Sequence, residues 1–264
     1  MHIRRLAWAG VEITSGPTNL VVDLLENARP LGALLGAPRT AIVPASEELD
    51  LALITHLHPD HYDPETLRQK LKPTAKVLCD RANAAKVASD GFDTVAADIH
   101  APISIGPFTI TALPAVDGFG DPQISFLIEA EGRKVVHCGD TLWHGHWWKI
   151  RAKYGFPDLA FLPINGAVTE FPGMKPSGLA ADLTPVQAAA AASLLEPKLC
   201  VPIHYGTFNN PPVYAEQPDA ERTFLEAAQR AEVAAQVIEP GGGVPLPERT
   251  NGALLPQVEQ AETR

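Results

Sequence analysis

The chain has 264 residues, 45% of them hydrophobic, and a formal charge of −10. Its basic residues cluster no further than pairs such as Arg4-Arg5, which disfavours a protein that tracks a phosphate backbone; no nucleic-acid partner is expected, and the substrate should be a small molecule. No run of about 18 apolar residues is present and no apolar signal core with a cleavage site opens the chain, so integral membrane association is not expected and the location should be cytoplasmic.

Ile3 to Trp8, Val11 to Thr14 and Leu20 to Asp23 read as strands, the last two joined by a Ser15-Gly16-Pro17 turn. Leu51-Ala52-Leu53-Ile54 reads as a buried strand, and Thr55-His56-Leu57-His58-Pro59-Asp60-His61 follows it directly. Three of the nine histidines therefore fall within six residues, with an aspartate among them. In extended backbone His56 and His58 project to one face, so both rings can reach one cation, while Asp60 and His61 point differently and serve a second. Such a cluster at a strand end suits one or two divalent cations and metal-assisted hydrolysis.

Pro64 to Leu71 should be a helix capped by Asp63, with strand and helix alternating from there to Asp98. Phe108 to Val116, Gln123 to Ala130 and Lys134 to Cys138 form a second strand-rich block, with a hairpin turn at Glu131-Gly132. Leu159 to Pro163 reads as a buried strand, and Thr184 starts a helix with Pro185 in its first turn and Val186 to Leu195 as its body. The stretch between them, Asn165 to Asp182, is long for a loop inside a compact domain and reads as a lid or substrate wall. A last helix over Asp219 to Ala234 precedes a strand at Gln236 to Glu239 and a tight turn at Gly241-Gly242-Gly243. Cys79, Cys138 and Cys200 each lie in or at the end of an apolar run and read as reduced, buried thiols.

The histidine-rich segment resembles the T-H-x-H-x-D-H signature of the metallo-β-lactamase superfamily, and two later segments extend the likeness. Val135-Val136-His137-Cys138-Gly139-Asp140-Thr141 matches an apolar strand followed by G-D-T, and Leu199-Cys200-Val201-Pro202-Ile203-His204-Tyr205-Gly206 matches the late strand that ends in the last histidine ligand. The resemblance implies an α+β fold, an αβ/βα four-layer sandwich of two mixed β-sheets flanked by helices, with the metals at one edge between the sheets. It also implies that Asp140 bridges both cations and that His204 is a ligand. Because the ligands then run from His56 to His204, residues 1–249 should form one domain, with 250–264 a polar tail.

One histidine that the family usually carries after a strand is missing here: Thr109 to Val116 leads to Asp117 instead. If its carboxylate ligates, one site is His56, His58, Asp117 and Asp140, and the other is Asp60, His61, Asp140 and His204; the competing reading has Asp117 cap a turn with Gly118. An oxygen ligand makes the first site harder, so Mn²⁺ or Fe²⁺ is tolerated beside the Zn²⁺ expected first. His144, close after Asp140, is an alternative replacement for the missing imidazole or a proton donor to a leaving group. Three of the four tryptophans stand between Trp143 and Trp148, as a pocket wall or as a helix start packed on the sheet.

The expected chemistry is attack by a metal-held hydroxide, oriented by Asp60 and Asp140, on an ester, lactone or phosphodiester. The G-D-T match and the late Pro-Ile-His-Tyr most resemble the branch of metal-dependent hydrolases that includes L-ascorbate-6-phosphate lactonase and N-acylphosphatidylethanolamine phospholipase D. A flavo-diiron-like redox protein is the alternative enzyme, although that branch carries Glu where His58 stands and this length leaves no room for a flavin domain. A catalytically degenerate metal-binding protein is the third reading, and a homo-oligomer is compatible with all three.

Overall fold

The structure is a computed structural model that describes residues 1–248; the polar tail expected over 250–264 lies outside the described residues. The chain opens with β1 (His2–Arg5), β2 (Val11–Ser15) and β3 (Thr18–Val22), paired antiparallel, after which β4 (Leu49–Ile54), β5 (Leu71–Asp80) and β6 (Thr94–Ala97) add in parallel. Helices α1 (Pro64–Lys70) and α2 (Ala84–Ser89) connect the parallel strands. The Asp63 carboxylate caps α1 by accepting from the Thr66 N–H at 3.0 Å, as its place before Pro64 suggests.

The second sheet repeats this order. An antiparallel meander of β7 (Pro102–Ile105), β8 (Phe108–Pro114), β9 (Ile124–Ala130) and β10 (Arg133–His137) comes first, and β11 (Leu159–Pro163) and β13 (Leu199–Ile203) then add in parallel. Glu131 and Gly132 both take positive φ, the requirement of a tight hairpin turn between β9 and β10. Helix α3 (Trp147–Tyr154) follows β10, and α4 (Pro185–Leu195) precedes β13 with a full capping box between Thr184 and Gln187. Between β11 and α4 lies β12 (Val168–Thr169), which pairs with β14 (Tyr214–Ala215), and α5 (Ala220–Arg230) closes the helical series.

Period-2 alternation within apolar runs builds the layers. Leu51 and Leu53 of β4 enter the core between the sheets, while Ala52 and Ile54 meet Leu67 of α1 and Val87 of α2 outside. In β11, Phe161 faces the same central core, and Ala160 and Leu162 meet Trp147, Ala188 and Phe224 of the other helical layer. The result is the expected α+β sandwich of two mixed sheets between helices. Among the described residues, no helix is long and apolar enough to cross a membrane.

Three local expectations fail. β1 stops at Arg5 because the chain turns back, with Leu6 N–H donating to Gly10 O and Trp8 held at φ 58°. α5 ends at Arg230, not Ala234, because Glu232 adopts φ 57° and the N–H groups of Glu232 and Val233 donate to Gln229 O and Ala228 O, a Schellman termination. Gln236 to Glu239 forms no strand: after one bridge between Ala235 and Cys200 the Ile238 carbonyl is taken by the Arg5 guanidinium.

Candidate metal centre

Four strand ends converge at one edge of the sandwich. β3 delivers Asp23, β4 delivers Thr55 and His56, β10 leads through Gly139 to Asp140, and β13 delivers His204. Side chains at the carboxyl ends of parallel strands share a crevice where the sheet hands over to loops. Gly139 has φ 62°, and a Cβ there would stand 3.0 Å from both Thr55 Oγ1 and Gln123 Nε2, so only glycine fits before Asp140.

The sequence-predicted ligands fall into two adjoining groups. His56, His58, Asp117 and Asp140 each offer an atom within 4.8 Å of the others, and Asp60, His61 and His204 do the same. Asp140 Oδ2 lies between the groups, 3.6 Å from His56 Nε2, 3.7 Å from His61 Nε2 and 4.0 Å from His204 Nε2. Asp60 Oδ2 stands 3.5 Å from His61 Nε2 and 3.4 Å from His204 Nε2.

Asp117 caps the turn, and its other oxygen is placed near His58. Its Oδ2 accepts from the N–H groups of Phe119 (2.7 Å) and Asp121 (3.0 Å), a turn cap, while its Oδ1 points at the first group, 3.7 Å from His58 Nδ1. Gly118 makes this possible, since a Cβ there would collide with the Ala181 carbonyl.

Partners behind the cluster fix which ring nitrogens face it. The Asp23 carboxylate can only accept, so His61 Nδ1–H donates to Asp23 Oδ2 at 2.8 Å and Nε2 is turned inward. The same oxygen accepts from Thr55 Oγ1 at 2.7 Å, and Thr55 Oγ1 in turn accepts from His56 Nδ1 at 3.0 Å. One buried carboxylate thus orients two histidines. Asp182 Oδ2 lies 3.3 Å from His204 Nδ1, Asp121 Oδ2 lies 3.0 Å from His58 Nε2, Trp8 Nε1–H donates to Asp60 Oδ2 at 2.9 Å, and Gln123 Nε2 donates to Asp140 Oδ1 at 2.8 Å.

Burial and these charges set the proton affinities. Burial pulls His56 down to about 3 against the attraction of Asp140, so its imidazole is neutral and ready to ligate. Burial also disfavours a charged His204, but Asp182, Asp60 and Asp140 outweigh it and raise its pKa to about 10. Burial would lift Asp140, yet His56, His61 and His204 hold it down to about 2. Asp140 is therefore ionised at neutral pH.

The donor set fits a metal. Nε2 of His56, His61 and His204 and Oδ1 of Asp117 are buried with no hydrogen-bond partner among the described residues, and they belong to the two adjoining groups. Buried polar atoms without partners are costly, and a divalent cation satisfies N and O donors of this kind together.

His144 does not join them. Its ring stacks on Trp147 at 4.0 Å with Nδ1 accepting from His146 N–H, and it is in neither ligand group. Burial pushes its pKa down to about 4, so it is neutral at pH 7 and a poor proton donor. Nor does the Trp143 to Trp148 segment line the cavity beside the cluster: Trp147 packs into the helical layer, and Trp143 and Trp148 face solvent. The Asn165 to Asp182 stretch does form a cavity wall, pinned by the β12–β14 pair and by Ala181 N–H donating to Ala167 O at 2.8 Å. His137 is structural, its Nε2 bonded to Ala9 O at 2.8 Å.

The fold and this cluster together define the class. The chain belongs to the metallo-β-lactamase superfamily, a family model described as a β-lactamase superfamily domain matching residues 18–205. Among its relatives, the UPF0173 metal-dependent hydrolase of Thermococcus kodakarensis is 30% identical over 217 residues, 79% of this chain and 87% of that protein. Among solved structures, the metallo hydrolase Igni18 of Ignicoccus hospitalis superposes with a TM-score of 0.68 at 22% identity, covering 92% of this chain and 97% of that one. CmlA, a diiron β-hydroxylase from Streptomyces venezuelae, shares the fold at a TM-score of 0.72 and 16% identity, covering 93% of this chain and 54% of that one.

Proposed function

We propose that this chain hydrolyses an ester, lactone or phosphodiester bond of a small substrate, with residues 1–249 acting as one domain. The observation that carries this reading is the convergence of the unpartnered Nε2 atoms of His56, His61 and His204 on the carboxylates of Asp60 and Asp140. His56, His58, Asp117 and Asp140 would hold one divalent cation, and Asp60, His61, Asp140 and His204 a second; zinc is favoured by the imidazoles, with Mn²⁺ or Fe²⁺ accommodated through Asp117. Such cations, when bound, lower the pKa of water to about 7 and polarise a substrate oxygen.

The protein's own part is orientation. Burial would raise the Asp60 carboxyl, but His61 and His204 hold it well below its ordinary value, so it stays ionised and accepts a hydrogen bond from the attacking water without keeping its proton. Trp8 fixes the acceptor oxygen of Asp60 and Gln123 fixes that of Asp140, which keeps the remaining lone pairs aimed at the reacting water. The adjoining cavity, closed on one side by the Asn165 to Asp182 wall, limits competing solvent.

Elemental analysis of the purified chain, followed by an ester, lactone and phosphodiester panel before and after chelation, tests the proposal. Metal at one or two ions per chain, with hydrolysis lost on chelation and restored on reloading, is the expected result. Hydrolysis that survives complete metal removal would overturn it.

A further inference from the structure

The cavity in front of the cluster has a character that the metal chemistry alone does not require. It holds about 260 Å³, just below the usual range of small-molecule sites, roughly 300–1,000 Å³. Leu34 and Leu35 come from one side, and Phe119, Phe171, Met174 and Tyr214 from the other. The aromatic rings form a continuous wall leading away from the ligands: His58 meets Phe119 at 5.6 Å, Phe119 meets Phe171 at 5.6 Å, and Phe171 stacks on Tyr214 at 6.4 Å. Among the described residues, no lysine or arginine lines the cavity, while Asp60, Asp121, Asp140 and Asp182 do.

Phosphate groups are ordinarily held by arginine forks, lysines or helix N-termini in addition to any metal. Here a phosphoryl oxygen beyond the cations would meet carboxylates and apolar side chains. The overall charge of −10 repels a dianion further. A neutral acyl compound meets no such penalty: its carbonyl needs only the cluster, and its apolar group is taken from water into the wall.

Resting on the hydrolase reading above, we infer that the substrate is a neutral carboxylic ester or lactone bearing a compact aryl or branched-alkyl group, which Phe171, Met174 and Leu34 select, and that phosphate esters are excluded. In the step, the water oxygen bonds to the acyl carbon and the acyl C–O bond breaks. One water proton passes to the departing alkoxide, giving alcohol and carboxylic acid, and the acid then ionises. No oxidant or reductant is involved.

The metal-loaded full chain should be assayed on p-nitrophenyl acetate, p-nitrophenyl phenylacetate and bis-p-nitrophenyl phosphate. Filling an apolar pocket is worth about tenfold or more in kcat/KM, so phenylacetate should exceed acetate by at least that factor, and both should exceed the phosphodiester. Phe171→Ser, and Leu34→Ser on the partly exposed rim where folding is not at risk, should each shrink the phenylacetate preference. A faster phosphodiester, or a preference untouched by both substitutions, would overturn the inference.

Calorimetry with the anions phenylacetate and inorganic phosphate reads the pocket without turnover. Phenylacetate should bind the loaded protein more tightly and lose that advantage in Leu34→Ser; tighter phosphate binding would overturn the inference. If the loaded protein cleaves nothing in either panel, the hydrolase reading fails, and the calorimetric order alone decides whether the cavity selects apolar acyl groups.

Discussion

Around Asp60, His61 and His204 the ring nitrogens are enclosed and held from behind by Asp23, Asp182 and Trp8, whereas in the adjoining group His58 keeps 22% of its side chain exposed and leans on Asp121, itself 61% exposed. The difference separates two tasks within one cluster. A hydrogen bond or ion pair in a low-dielectric enclosure is strong and fixes geometry, while one at the surface is screened and yields easily. On the proposed reading, the enclosed group would retain a cation and the group with the partly exposed His58 would adjust. Asp140, central to both, transmits the constraint from one to the other.

The largest effect should come from emptying the enclosed side. In a His61→Ala, His204→Ala double variant, two of its imidazoles are gone and only carboxylates remain, so metal analysis should give no more than one ion per chain. Full occupancy there would erase the distinction between the groups. Next comes Asp23→Ala, which strips the partner from His61 and, through Thr55, from His56. Loss of an orienting partner behind a ligand weakens metal binding by about 10–100-fold. Removing one side of a buried charge pair also costs about 3 kcal/mol or more, so urea unfolding of the chelated protein should show this as well. An Asp23→Ala protein with native affinity and stability would show that the histidines are held by packing alone.

How much of this was legible in the sequence follows from what each signal depends on. His56, His58, Asp60 and His61 were readable because i, i+2 projection is local, and Asp140 and His204 because the segments around them resemble the family's G-D-T and late-histidine motifs. Asp23 stands after Leu20-Val21-Val22, but a carboxylate at a strand end also suits a turn; only the parallel register Val22↔Leu53 places it behind His61. Trp8 and Asp182 had no local signal. Their positions depend on a positive φ in the first hairpin and on how the Asn165 to Asp182 segment folds back. His144 misled for the opposite reason: it lies near Asp140 in sequence, yet its ring stacks on Trp147 at the start of α3. The layers were readable because apolar runs such as Leu51 to Ile54 are buried on both faces, whereas Gln236 to Glu239 has strand-like composition but only one bridge to pair with.

On the side of the partly exposed His58 the effects should be smaller and concern selectivity. Asp117 contributes Oδ1 to the first group and Oδ2 to the turn, so Asp117→Asn keeps a cap but removes the charge. That variant should lose the first cation selectively, while Asp117→His should keep it and shift preference from Mn²⁺ or Fe²⁺ toward Zn²⁺, the direction set by the softer imidazole. Competition between Zn²⁺ and Mn²⁺ measured by elemental analysis reads this directly. An unchanged preference in Asp117→His would mean that Asp117 serves the turn only.

The smallest effect should be that of Asp121→Ala. Asp121 bonds His58 at 3.0 Å, the same kind of contact that Asp23 makes with His61 at 2.8 Å, so distance alone would rank the two as near equals. Exposure separates them. Water replaces the Asp121 carboxylate at His58 Nε2 with little loss, and the freed ring still has its Nδ1 beside Asp117, whereas no water reaches the fully buried Asp23 position. Metal affinity in Asp121→Ala should therefore fall by less than the roughly tenfold lower bound for enclosed partners. If Asp121→Ala and Asp23→Ala weaken binding equally, enclosure is not what distinguishes the two groups, and the hydrogen bond to the ring is sufficient wherever it is made.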